Sequence, residues 1–143
     1  MSRTVVVDGG RSPYLQNISV GSHLYQADEP IAAGGRDTGP DPYELLLSAL
    51  GSCVGITLRM YADRKQWPLE GVRVELSWAR VHMEDCAACA NGVELTDGIE
   101  MELSFFGDLS ESQRERLMDI ADKCPVHRTL SSPIQIRARE VRP

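Results

Sequence analysis

The sequence lacks several features that would point to a particular partner or location. Lys and Arg form no continuous stripe, and the 143-residue chain has a formal net charge of −6. We therefore expect neither nucleic acid nor an anionic membrane surface as a partner. The opening residues contain no secretory apolar region, and we find no apolar run long enough to span a bilayer. These absences predict a cytoplasmic protein without a membrane partner.

Internal repeats, low-complexity tracts and linkers are also lacking. The chain is 42% hydrophobic and 25% charged, an ordinary balance for a globular protein with one hydrophobic core. The sequence therefore predicts a single domain over residues 1–143.

Cysteine is scarce, with four residues in the whole chain. Because the cytosol keeps structural thiols reduced, we interpret the cysteines as core, redox-active or metal-binding residues rather than as disulfide staples. They are Cys53, Cys86, Cys89 and Cys124.

Hydrophobic periodicity predicts the order β-β-β-α-β-β-α-β. Antiparallel hairpins with two helices favour an α+β fold over a doubly wound sheet. The predicted strands cover residues 3–7, 16–20, 23–26, 72–78, 99–105 and 134–138, and a Gly- and Pro-rich loop covers residues 30–40.

The first predicted helix begins with strong start signals. Asp41 is a natural N-cap, Pro42 suits the first helical position, and Glu44 completes a capping box. Small side chains at Ser48, Ser52 and Gly55 would allow another backbone to approach closely. The expected apolar face contains Leu46, Leu50, Cys53, Thr57 and Met60.

The second predicted helix starts at a capping box of Ser110 and Gln113 and carries Cys124 on its inner face, with Pro125 ending it. If both helices pack on one core, Cys53 and Cys124 can come within disulfide range. The plain alternative is that each is a small buried apolar residue.

Reactivity would require a cation near the attacking thiol, because the thiolate is the nucleophile. A position at the end of a helix would disfavour a thiolate at Cys124. The candidate cations are Arg36, Arg11 and Arg128, and each could also be a solvated surface charge.

Two long blocks carry a family resemblance. They are GGRDTGPDPYELLLSALGSCVGITL, residues 34–58, and GDLSESQRERLMDIADKCPVHRTL, residues 107–130. Together with the strand order, they resemble the OsmC/Ohr family of peroxide-stress proteins. The resemblance implies an intertwined α+β homodimer that reduces organic hydroperoxides, with Cys53 peroxidatic, Cys124 resolving and a lipoyl-type dithiol as reductant.

The resemblance also suggests Arg36 and Glu44 as catalytic partners of the two cysteines, with no cofactor. Peroxidase members of the family carry Glu directly after the proline that starts the helix, whereas this chain has Tyr43 there. One residue along a helix is a rotation of about 100°. We therefore favour a capping role for Glu44.

A second cysteine pair offers a different function. His82, Cys86 and Cys89 lie in the spacing H-x-x-D-C-x-x-C, which could supply three zinc ligands or a redox dithiol. The alternative hypotheses are a non-enzymatic redox-sensing or metal-binding dimer that uses this loop, and a small-molecule binding protein that kept the fold without the chemistry.

Overall fold

The computed structural model describes residues 3–82 and 95–143. The chain divides into two compact units, Met1–Ser48 and Ala49–Pro143, here called the first unit and the second unit. The single domain expected from the sequence stays a prediction.

The first unit contains a three-stranded antiparallel sheet. Its strands are β1 (Val5–Gly9), β2 (Gln16–Val20) and β3 (His23–Ala27), in the order β1-β2-β3. The predicted hairpin between β2 and β3 is confirmed. Gly21 has a φ of 58° at the first central position of the turn, where a type II′ hairpin favours glycine.

A loop of irregular backbone links β3 to the first long helix, as the Gly- and Pro-rich composition predicted. It contains one short 3₁₀ helix, Ile31–Ala33. The loop folds back on itself, because the Asp28 N–H donates to the Pro40 carbonyl at 3.2 Å and the Asp37 N–H donates to the Glu29 carbonyl at 3.1 Å.

Helix α1 (Pro42–Lys65) begins as its sequence predicted. The Glu44 N–H donates to Asp41 Oδ1 at 2.8 Å, and the Asp41 N–H donates to Glu44 Oε2 at 2.8 Å. This reciprocal pair satisfies two of the backbone donors that a helix start leaves unpaired. The capping role favoured for Glu44 is confirmed.

The buried side of α1 differs in part from the expected apolar face. Its fully buried residues follow a spacing of four, whereas the expected face ended at Met60, which is 59% exposed. Cys53 lies beside this ridge and is half-buried. The reason is that the neighbouring elements pack on the i, i+4 ridge of the helix. The buried residues are Leu50, Val54, Leu58 and Ala62.

Helix α1 is also long and apolar enough to cross a membrane by length and composition, which the sequence analysis did not anticipate. The buried core helix of a soluble protein passes the same test, so one such helix is weak evidence that a chain spans a membrane. The expected absence of a membrane-spanning run was therefore wrong for α1 as a matter of length and hydropathy.

In the second unit, β4 (Gly71–His82) and β5 (Leu95–Phe106) form the predicted antiparallel hairpin. Alternate residues turn their side chains toward the core, as the alternation in sequence predicted. One contact explains a glycine in the middle of α1. A Cβ at Gly51 would lie 2.7 Å from Leu76 Cδ1, so the glycine leaves room for this β4 side chain in its present position.

Helix α2 (Glu111–Ala121) starts at the predicted capping box of Ser110 and Gln113. It ends earlier than expected, and Cys124 is not on it. Instead Cys124 is the N-cap of a separate short helix, α3 (Pro125–Leu130). Pro125 begins α3 because proline suits the first position of a helix, where its missing N–H costs nothing.

The predicted last strand, residues 134–138, does not form in the part of the chain that the structure describes. A strand needs a neighbour to pair its backbone groups, and no described strand pairs with this segment. Its apolar side chains are exposed, Ile134 by 55% and Ile136 by 89%. The α+β class is nevertheless as predicted, with antiparallel sheets and helices.

Candidate active site

The two cysteines on which the sequence analysis focused meet in the second unit. Cys124 is fully buried, with 0% exposure, and belongs to the core cluster against which the half-buried Cys53 packs. Both are free thiols, and they lie close enough for the Cys53 side chain to raise the pKa of Cys124. The expected approach of the two sulfurs is therefore present.

The environment of Cys124 keeps its thiol protonated. Burial is the main cause that raises its pKa, and the neighbouring Cys53 side chain raises it further. The backbone N–H groups of His127 and Val126 oppose this by hydrogen bonding, with the His127 N–H 3.2 Å from Sγ. The pKa of Cys124 is raised overall, so its buried sulfur favours the neutral form.

The place of Cys124 in the fold differs from expectation in a way that matters chemically. From the sequence, Cys124 was expected at a helix C-terminus, where the dipole repels negative charge. As the N-cap of α3 it faces free backbone N–H groups instead, which favour negative charge. Local hydrogen bonding thus eases the formation of a Cys124 thiolate, while burial resists it.

His127 contacts the site through its backbone, and its side chain has a different neighbour. His127 Nε2 lies 3.7 Å from Asp122 Oδ1, and the imidazole side chain is 31% exposed. The His127 N–H, and not the imidazole, is the group that hydrogen-bonds to Cys124. Its side chain pairs with a carboxylate at the end of α2.

Two of the three candidate arginines lie in the first unit and share one cavity. Arg11 and Arg36 both line a cavity of about 510 Å³, together with Tyr14 and Asp28. Arg128 lies in the second unit on α3, one turn after Cys124, and is exposed. Glu44, the remaining predicted site residue, uses its carboxylate to cap α1.

Asp28 organises the loop that carries Arg36, and the sequence analysis missed it. It is 3% exposed, and its carboxylate accepts from the N–H groups of Glu29, Arg36 and Thr38 and from the Thr38 hydroxyl. Burial acts to raise the pKa of Asp28, but these hydrogen bonds outweigh it, so the pKa is lowered. The position of Asp28 between a predicted strand and a Gly-rich loop was the sequence feature that could have identified it.

The alternative metal loop lies mostly outside the described residues. Cys86 and Cys89 fall in that part, and His82 is the last residue of β4. Within residues 3–82 and 95–143, no group of three or more His, Cys, Asp or Glu side chains could hold a metal ion.

The second unit therefore has the features of an α+β thiol protein. A half-buried cysteine on a long helix lies beside a buried cysteine at the start of a short helix. The family model described as OsmC-like protein matches residues 34–139. The chain therefore belongs to the OsmC/Ohr family. No curated protein matches it significantly.

Solved structures share the fold at low sequence identity. An OsmC-like protein from Mycoplasma pneumoniae is 18% identical with a TM-score of 0.72, covering 92% of this chain and 88% of its own. The organic hydroperoxide resistance protein OsmC from Legionella pneumophila is 20% identical with a TM-score of 0.64, covering 91% and 89%. The organic hydroperoxide resistance protein OhrB of Bacillus subtilis is 21% identical with a TM-score of 0.60, covering 90% of each chain.

Proposed function

We propose that this protein is a cytoplasmic thiol-dependent peroxidase that reduces organic hydroperoxides in defence against oxidative stress. The observation that carries the proposal is the pair of neighbouring free thiols, Cys124 in the core cluster and Cys53 packed against that cluster. Its family membership supports the proposal, as do similar structures named as organic hydroperoxide resistance proteins.

The difference in burial between the two thiols supports a division of labour. Cys53 is the more accessible sulfur, so we assign it the first attack, on the outer oxygen of the hydroperoxide. The O–O bond breaks, the alkoxide takes a proton and leaves as the alcohol, and Cys53 becomes a sulfenic acid. The buried Cys124 then serves as the resolving thiol.

Resolution and regeneration complete the cycle. Cys124 gives up its proton and attacks the Cys53 sulfur, so an S–S bond forms and the sulfenic hydroxyl leaves as water. A dithiol reductant of the lipoyl type then restores both thiols by exchange and is itself oxidised to its disulfide. The N–H groups at the start of α3 assist the second attack because they stabilise charge on Cys124.

The family resemblance suggests Arg36 for stabilisation of the Cys53 thiolate in this proposal, with Arg11 and Arg128 as the alternatives. Glu44 has no catalytic part in this proposal, because its carboxylate is engaged with the Asp41 N–H.

The test is to map disulfides by mass spectrometry after a single equivalent of tert-butyl hydroperoxide. We expect a Cys53–Cys124 disulfide as the main product, because the two side chains are already neighbours. A Cys89→Ser variant is the matched control and should form the same bond. If oxidation instead links Cys86 to Cys89 and leaves Cys53 and Cys124 reduced, the proposal is wrong.

We further propose that the chain forms a homodimer through the face of α1 opposite its buried ridge. Ile56 is 62% exposed and Met60 is 59% exposed on this face. The neighbouring Gly55 has no atom within 4 Å of an added Cβ, which leaves room for a close backbone. An exposed apolar stripe beside small residues suits packing against the same helix of a second copy.

Sedimentation measurements at micromolar concentration test the dimer. We expect the native chain to sediment as a dimer and the double variant Ile56→Glu, Met60→Glu to sediment as a monomer, because charge on an apolar contact is costly to bury. Leu24→Glu, at another exposed apolar residue, is the control and should stay dimeric. A monomeric native chain would rule the interface out.

A further inference from the structure

The cavity of the first unit is built by two loops that are far apart in sequence. The loop between β1 and β2 supplies Arg11 and Tyr14, and the loop between β3 and α1 supplies Gly34 and Arg36. Its volume of about 510 Å³ is far larger than one water molecule needs. Small ligands therefore fit within it.

The charge of the cavity favours an anion. Across residues 3–82 and 95–143, neither the Arg11 nor the Arg36 guanidinium has an ion-pair partner. The one acid in the lining is Asp28, and its two oxygens already accept four hydrogen bonds from the adjoining loop. Two arginines thus face the cavity with unused donors in a chain whose net charge is −6.

The position of Arg36 is fixed by its backbone. The Arg36 N–H donates to Asp28 Oδ2 at 3.2 Å, and the Gly35 N–H donates to the Pro30 carbonyl at 3.1 Å. A Cβ at Gly35 would strike the Glu29 carbonyl oxygen. The loop is therefore tightly packed, and the backbone position from which the Arg36 side chain extends is fixed.

A tyrosine forms another wall of the cavity. A Cβ at Gly34 would lie 3.2 Å from Tyr14 Cε2 and 3.5 Å from the Tyr14 hydroxyl, so the ring rests against this glycine. Gly34 also has a φ of 99°, which a side chain would strain. The phenol thereby adds a hydroxyl donor to a cavity that already contains two guanidinium groups.

We propose that this cavity is a binding site for a small oxyanion, a carboxylate or a phosphate. The planar fork of arginine matches the paired oxygens of both groups, and two forks with a hydroxyl supply several charge-assisted hydrogen bonds. The site is defined by the first unit alone. The proposed thiol chemistry also calls on an arginine of this cavity, but the test below measures anion binding and not peroxide turnover, so failure of one proposal is distinguishable from failure of the other.

The test is an NMR titration of the full chain that follows the arginine Nε–H signals and the backbone amides. Inorganic phosphate and acetate are separate ligands, with chloride at matched ionic strength as the blank. We expect saturable shifts at Arg11, Gly34, Gly35 and Arg36. Because hydrogen bonds to charged groups are strong, Arg11→Gln or Arg36→Gln should weaken binding by roughly tenfold or more.

Two further variants sharpen the test. Arg3→Gln removes an exposed arginine of the same unit that does not line the cavity, and it should bind as the native chain does. Tyr14→Phe keeps the ring and removes the hydroxyl, so it should weaken binding less than the loss of an arginine. Saturation by acetate alone identifies a carboxylate site, by phosphate alone a phosphate site, and by both a general oxyanion site. Equal shifts with chloride, or equal weakening by Arg3→Gln, would overturn the proposal.

Discussion

The variant Cys53→Ser is expected to lose turnover of organic hydroperoxides by at least about a thousandfold, as the removal of a covalent nucleophile does in other enzymes. A serine hydroxyl remains protonated at neutral pH and forms no sulfenic acid, so neither the attack nor the later disulfide is available to it. The measurement is consumption of cumene hydroperoxide with a dithiol reductant in excess. Circular dichroism of the same preparation establishes that the variant is folded.

Two companion variants locate the activity. Without added reductant, Cys124→Ser should rapidly reduce about one equivalent of hydroperoxide per chain and form a Cys53 sulfenic acid that has no partner thiol, and further equivalents should be consumed only as that sulfenic acid is oxidised to a sulfinic acid. Cys86→Ser should turn over as the native protein does, since it lies outside the proposed pair. Native-like turnover by Cys53→Ser would refute the peroxidase assignment, whatever the other variants do.

The second large effect concerns stability. Leu58→Ala should lower the free energy of unfolding by about 3 kcal/mol, in the range found for large-to-small substitutions in cores. Leu58 has 0% exposure and lies in the centre of the buried ridge of α1. Its truncation removes apolar contacts and leaves a cavity in a close-packed cluster. Denaturant unfolding at a fixed protein concentration measures the change.

Leu24→Ala is the matched control, because it is the same chemical change at a residue that is 80% exposed. It should change the free energy of unfolding by no more than about 0.5 kcal/mol, as surface substitutions usually do. If Leu58→Ala costs as little as Leu24→Ala, the buried ridge does not form the core described above.

Much of the fold could be predicted from residues that are close together in the sequence. Both capping boxes were predicted because an acid or amide three residues after the cap is visible in the chain itself. The β4–β5 hairpin was predicted because strict alternation implies one buried face. Such features depend on neighbours only a few residues away, so the rest of the fold does not override them.

Features that depend on distant contacts were harder to predict. The buried ridge of α1 is chosen by the elements that pack on it, as Gly51 shows by making room for Leu76. Pro125 was expected to end a helix. A proline ring also suits the first position of a helix, and Pro125 begins α3. The last predicted strand has suitable alternation, yet alternation supplies no partner for its backbone.

The candidate site was predicted only in part, because some of its features also depend on distant contacts. The cysteines stood out by type and by position on predicted helices, and the structure brings them into contact. The shared cavity of Arg11 and Arg36 required knowledge of how two loops meet. Asp28 was overlooked because a single aspartate before a loop looks like an ordinary turn residue until its four donors are seen.

The hydrogen bonds of Asp28 have a consequence for acid tolerance. Its folded pKa is depressed, so its contribution to folding is fully present above the ordinary value of 3.8 and is lost only as the pH falls through the lower folded value. Mild acidification leaves the carboxylate ionised and its four donors satisfied. The segment around Arg36 should accordingly keep its shape when the pH falls toward the ordinary pKa of an aspartate.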